Sequence, residues 1–114
     1  MTKATIDINE SKIKQYVEPL RSENQEIRTQ LDFGYSYDGK IVEIYEIRPL
    51  WNNPAETQNI PFVKIRFYKS KQLWNLYWMR ASGKWELYKP FSKSTCIDKI
   101  IGVIREDKHG CFFG

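Results

Sequence analysis

The stretch Pro61–Pro90, PFVKIRFYKSKQLWNLYWMRASGKWELYKP, decides the fold. It holds three runs rich in aromatic and β-branched residues separated by short polar turns, the signature of three consecutive antiparallel strands. Placing Ser70 and Lys71 in a two-residue turn pairs Phe67 with Trp74, Ile65 with Leu76 and Val63 with Trp78 on one apolar face. The other face then carries Tyr68 with Leu73, Arg66 with Asn75, Lys64 with Tyr77 and Phe62 with Met79, a mixture of aromatic and basic groups. A slip of one residue would scramble both faces, so the pattern specifies its own register. A second two-residue turn at Ser82-Gly83 sets Trp78 opposite Leu87 and Arg80 opposite Trp85 on the first face, with Tyr77 opposite Tyr88 on the second.

With 114 residues, of which 41% are hydrophobic, the chain suits a single domain, 1–114, with a core large enough to need no staples. The net charge of +4 is mildly basic, but its distribution is more informative. Between Pro61 and Pro90 there are seven Lys or Arg residues against one acid, Glu86, so the local excess is larger than that of the whole chain. Two cysteines, Cys96 and Cys111, are too few for a secreted disulfide scaffold, and no apolar run resembles a signal peptide or a membrane span. A reduced, cytoplasmic protein with no membrane partner is the expectation.

Working outward toward the N-terminus, a polar lead at 1–6 is expected to fray. Asp7 with Glu10 offers a capping arrangement, and Ile13, Tyr16, Val17 and Leu20 follow at helical spacing. Pro19 ends that helix, giving about Ile8–Glu18. From Ile27 to Tyr37 the residues alternate as in a half-buried strand, and Asp38-Gly39 turns it into a second strand, Lys40–Arg48. A strict two-residue loop pairs Phe33 with Ile44, whereas a bulged three-residue loop pairs it with Tyr45 and buries more apolar area. Pro49–Ile60 reads as a long loop, with Trp51 folding back as a lid on the sheet edge. On the C-terminal side, Thr95 with Asp98 caps a helix whose Ile97, Ile100, Ile101 and Ile104 form one stripe. Gly110 is placed to end that helix region, and Phe112 and Phe113 to tuck against the body.

Two amphipathic helices and five strands in order α-β-β-β-β-β-α predict an α+β fold: a five-stranded antiparallel meander with N- and C-terminal helices packed on one face. Both helices should cover Val63, Ile65, Phe67, Trp74, Leu76 and Trp78, leaving the other face open.

Four motifs then carry a resemblance. Glu46-Ile47-Arg48-Pro49 followed by Trp51, Trp74-x-Leu76-Tyr77-Trp78-Met79-Arg80, Trp85-x-x-Tyr88-x-Pro90, and Asp107-x-x-Gly110-Cys111-Phe112-Phe113-Gly114 occur in order. Together they resemble a family of small bacterial proteins known as a domain of unknown function, number 3024, over nearly the whole chain. The resemblance implies a bacterial, cytoplasmic, stand-alone domain. It supplies no catalytic residue, cofactor or partner.

The residues themselves point away from an enzyme. His109 and Cys111 lie two apart, but a nucleophilic pair needs an orienting group and an oxyanion hole, and zinc needs four ligands. Glu43 and Glu46, three apart on a strand, face opposite sides and make a poor acid–base pair. No glycine-rich phosphate loop is present, and no metal or cofactor is expected. The open face is the better signal: Phe62, Lys64, Arg66, Tyr68, Tyr77, Met79 and Tyr88 set rings beside cations, as stacking bases and neutralising phosphates requires. Basic residues at the adjacent turns would extend the track. The same aromatics and Met79 would equally suit a homodimer or a protein partner. A third arrangement is a small anion pocket beside the 49–60 loop, with Arg48, Trp51 and Arg80 as its anchors, although both arginines are also placed for plain ion pairs.

Overall fold

The computed structural model describes residues 8–112. The deciding stretch forms the centre of an antiparallel sheet: β3 (Asn53–Tyr68), β4 (Leu73–Met79) and β5 (Trp85–Leu87), preceded by β1 (Asp32–Tyr37) and β2 (Ile41–Leu50) and followed by a two-residue β6 (Lys93–Ser94). The strands lie in sequence order, and β6 joins β4 on the edge it shares with β5. All six pairs of β3 with β4, from Val63–Trp78 to Tyr68–Leu73, stand in the register that the alternation dictates.

Helices α1 (Ile8–Val17) and α3 (Ile97–Glu106) cover one face. They bring Ile13, Tyr16, Val17, Ile97, Ile100, Ile101 and Ile104 against Val42, Ile44, Val63, Ile65, Trp74 and Leu76, all buried. Burial holds α3 more than capping does. Its N-cap is Cys96 rather than Thr95, with no side-chain cap bond, whereas its four buried isoleucines contribute roughly 1.5–3 kcal/mol each against about 1 for a cap. The helix ends at Asp107, in a left-handed conformation at φ 44°, not at Gly110. Asp107 also accepts from the Phe112 N–H at 3.1 Å, which seats the Phe112 ring in the core. Lys12 bridges to Asp98 at 2.8 Å and ties the two helices together. The expected cap at Asp7 and the tucking of Phe113 fall outside the described residues.

Helix α1 stops at Val17, and Pro19 sits in a following 3₁₀ turn, Glu18–Leu20. The strand expected from Ile27 begins only at Asp32. Residues Gln25–Arg28 form instead a single helical turn, α2, because the Asn24 side chain accepts from the Glu26 N–H at 2.8 Å and caps it. Arg21 clamps Asp32 through two bonds of 2.8 and 3.0 Å, which anchors this linker to the start of β1.

The first hairpin adopts neither expected register. Phe33 pairs with Glu46 and Tyr37 with Val42, because the Asp38 carboxylate accepts from the N–H groups of both Lys40 and Ile41 and lengthens the turn. The pairing lies two residues from the strict-loop register, whose faces it keeps with Tyr35 beside Ile44, and one residue from the bulged register, which would have set Tyr45 on the side of Phe33.

The region Pro49–Ile60 is not a loop. Strands β2 and β3 continue through it as a two-stranded arm, with Ile47 opposite Asn59, Arg48 opposite Gln58 and Pro49 opposite Thr57. Trp51 and Asn52 make the turn, and Trp51 is 91% exposed at the tip rather than folded back as a lid. A radius of gyration of 15.2 Å, against about 13 Å for a compact chain of this length, is in keeping with the projecting arm. Among the described residues no helix is long and apolar enough to cross a membrane.

Candidate binding face

Among the described residues no helix covers the second face of the sheet. From β3 it presents Lys64, Arg66 and Tyr68, and from β4 Leu73, Asn75, Tyr77 and Met79, because these residues alternate with the buried set. Lys64 stands opposite Tyr77, with its ammonium 5.4 Å from that ring's centre. The Arg66 guanidinium lies 4.9 Å from the ring of Tyr68. The two tyrosines lean toward one another across the Arg66–Asn75 pair until their hydroxyls meet at 3.1 Å. This bond, and then partial burial, hold the Tyr68 phenol above its ordinary pKa. Two ring–cation pairs joined by one hydrogen bond therefore occupy the middle of the sheet. Each such pair is worth about 0.5–1 kcal/mol at an exposed site, enough to order the long side chains without locking them.

Five of the seven residues expected on this face are there: Lys64, Arg66, Tyr68, Tyr77 and Met79. Phe62 is not. The register of β2 with β3 shifts at Ile44/Tyr45, so Phe62 becomes the extra residue of a bulge, turns to the helix side and meets the Phe33 ring edge-on at 6.2 Å. Tyr88 is not there either. The β4–β5 turn takes three residues, Ala81 to Gly83, with Gly83 at φ 86°, so Tyr77 pairs with Leu87 and Met79 with Trp85. That slip of one residue sends Tyr88 into the core, 1% exposed, where its ring lies 5.0 Å from that of Phe112. The same slip brings Trp85 onto the open face, and β6 adds Lys93 opposite Asn75. Tyr45 also lies on this side, over Gly34, where an added Cβ would come within 2.8 Å of its ring. Sequence reasoning missed Trp85 and Lys93, since neither the three-residue turn nor a two-residue strand leaves a periodic signal.

The proposed anion anchors are not assembled. Arg48, Trp51 and Gln30 line an open hollow at the arm, but Arg80 does not. Arg48 is paired with Glu46 and Arg80 with Glu86, each at 2.8 Å. Elsewhere, the Cys111 thiol is pushed up in pKa by burial and then by the acids Asp107 and Glu86, the opposite of nucleophile activation. Its nearest bonding partner is the His109 carbonyl, 4.0 Å away, not the imidazole. No group of three or more His, Cys, Asp or Glu side chains placed to hold a metal ion occurs among the described residues.

A family model described as a domain of unknown function, DUF3024, matches residues 1–114, the whole chain. The chain belongs to the DUF3024 family. No curated protein and no solved structure matches it. Much of what marks this DUF3024 chain is scaffold: Trp74, Leu76, Tyr88 and Phe112 are buried, and Asp107 ends α3. Tyr77 and Met79, from the same motifs, face outward.

Proposed function

We propose that this DUF3024 domain binds single-stranded nucleic acid across its open sheet face. The observation that carries the reading is the Lys64–Tyr77 and Arg66–Tyr68 cluster, central on the sheet and uncovered by any helix among the described residues. Rings offer stacking surfaces that every base can use, and the adjacent cations are within reach of the phosphates that link the bases. Lys93 on the same face, and Lys69 and Lys71 in the β3–β4 turn, extend the positive track along the sheet. A flat platform suits unstacked bases rather than duplex grooves.

A second reading rests on Met79 paired with Trp85, next to Tyr77 on the same face: these are residue types enriched where proteins meet, and they suit a protein partner there. The anion-pocket reading has less support, because both arginines already have carboxylate partners. A fluorescence titration with single-stranded and duplex DNA and RNA at low and moderate salt separates the first two readings. The expected result is saturable binding of single strands that weakens with salt and is lost in Lys64→Glu with Arg66→Glu. Absence of any response at low salt would rule out the nucleic-acid platform and leave the protein-partner reading.

A further inference from the structure

Asn75 is an uncommon choice for the middle of a sheet. It sits on β4 with Arg66 opposite it on β3 and Lys93 opposite it on β6, where strands favour β-branched or aromatic side chains. Its carboxamide, able both to donate and to accept, has no hydrogen-bond partner among the described residues. Asn75 also lines a hollow. With Tyr68, Lys71 and Leu73 it borders about 100 Å³ of space on the open face, next to the β3–β4 turn. A cavity of roughly 150 Å³ holds a benzene ring, so this hollow matches a single six-membered ring more closely than the fused pair of a purine. Its walls suit such a ring. Leu73 and Tyr68 are half-buried, and the hydroxyl bond of 3.1 Å to Tyr77 fixes the Tyr68 ring before any ligand arrives. The surroundings are basic: Arg66 lies 4.9 Å from the Tyr68 ring centre, Lys93 flanks Asn75, and Lys71 is exposed at the mouth. Glu43, an acid on the same face, stands opposite Lys64, two strands away from Asn75.

We propose that this hollow is the base-reading subsite of the platform: it seats one pyrimidine of a bound single strand, with the Asn75 carboxamide on the Watson–Crick edge of the base and Tyr68 and Leu73 against its ring. The assignment rests on the single-strand reading of the open face and adds a base preference to it. A carboxamide holds a donor and an acceptor side by side. Thymine or uracil donates from N3 to Oδ1 and accepts from Nδ2 at O4. Cytosine donates from its N4 amino group to Oδ1 and accepts from Nδ2 at N3. One orientation of Asn75 therefore serves either pyrimidine. A purine edge could make similar bonds, but the hollow has no room for its second ring. The neighbouring tyrosines and Trp85 stack any base, so the preference belongs to this one position.

Fluorescence titration with oligo(dT), oligo(dC) and oligo(dA) of equal length, at one low salt concentration, tests the assignment. Wild type should bind both pyrimidine strands about tenfold more tightly than oligo(dA), the discrimination that one bidentate base contact provides. Adenines also stack on one another, so the ratio alone does not decide. Asn75→Leu keeps the size of the side chain and removes its polar atoms. It should reduce the ratio to about twofold, with the affinity for oligo(dA) and the melting temperature unchanged. A carboxamide that merely braced the sheet would, when lost, lower the melting temperature and weaken every strand alike. Should Asn75→Leu melt early, Asn75→Val takes its place. Thymine strands methylated at N3, which cannot donate to Oδ1, should bind wild type no more tightly than oligo(dA). Strands that bind with the same base ratio to wild type and variant overturn the assignment and leave the platform standing. So does an equal loss of all strands in the variant, or a methylated strand that binds as tightly as oligo(dT). Absence of binding by any strand overturns the platform and the subsite together.

Discussion

Replacing Tyr16 with Phe should stabilise the protein. Tyr16 is 4% exposed between α1 and α3, and its hydroxyl has no hydrogen-bond partner among the described residues. Burial, opposed by the nearby Arg105 and reinforced by Asp107, pushes its pKa up to about 12. An unpaired buried hydroxyl costs roughly 1–3 kcal/mol, and Phe keeps the ring that fills the site. Arg105, 5.6 Å from the ring centre, can remain where it is. A gain of about 1 kcal/mol is expected, the low end because a passing water can partly serve the hydroxyl; for a domain of this size that raises Tm by about 4 °C. Urea unfolding at neutral pH, with an unchanged m-value, measures the gain. The advantage should widen in alkali. Between the ordinary tyrosine pKa and about 12, the unfolded chain has released the phenolic proton while the folded chain keeps it, so wild-type stability falls by about 1.4 kcal/mol per pH unit relative to the variant. A variant that is less stable by 1 kcal/mol or more at neutral pH would show that the hydroxyl has a partner and would refute the reasoning.

Three further outcomes are expected. If Lys64, Arg66 and Lys93 neutralise three phosphates, log affinity should fall with log salt at a slope of about −2, roughly twentyfold between 50 and 200 mM; Lys64→Gln with Arg66→Gln should flatten it to about −0.7, and an unchanged slope would place the contacts elsewhere. Tyr88→Ala should cost about 3–5 kcal/mol of stability, since the ring is core and not platform, as chemical denaturation would show. Asp32→Asn should lower the urea midpoint at pH 7. The bond from Arg21, then that from the Phe33 N–H, hold the Asp32 carboxyl below its ordinary pKa despite the opposing effect of burial, so its contribution is complete at neutral pH and disappears as pH falls through the folded value; the midpoints of variant and wild type should draw together as the pH is lowered.

Much of the candidate site could be read from the order of residues because it lies on β3 and β4, where a one-residue slip exchanges every apolar side chain for a polar one. Phe62 and Tyr88 could not be placed that way. Each depends on a single inserted residue, at the bulge beside Ile44 and at the turn ending in Gly83, where neighbouring registers satisfy local rules about equally. Contacts between distant elements settle them: Phe62 against Phe33, and Tyr88 against Phe112 at the far end of α3.

The isoleucine stripe of α3 and the two faces of the β3–β4 ladder were determined by sequence alone, since periodicity commits a helix or strand to one buried side whatever lies opposite. The arm was decided only in three dimensions. Pro49, Pro54 and three asparagines signal a loop locally, yet β2 and β3 are already aligned at their central pairs, and extending that ladder outward satisfies backbone groups that a loop would leave to water.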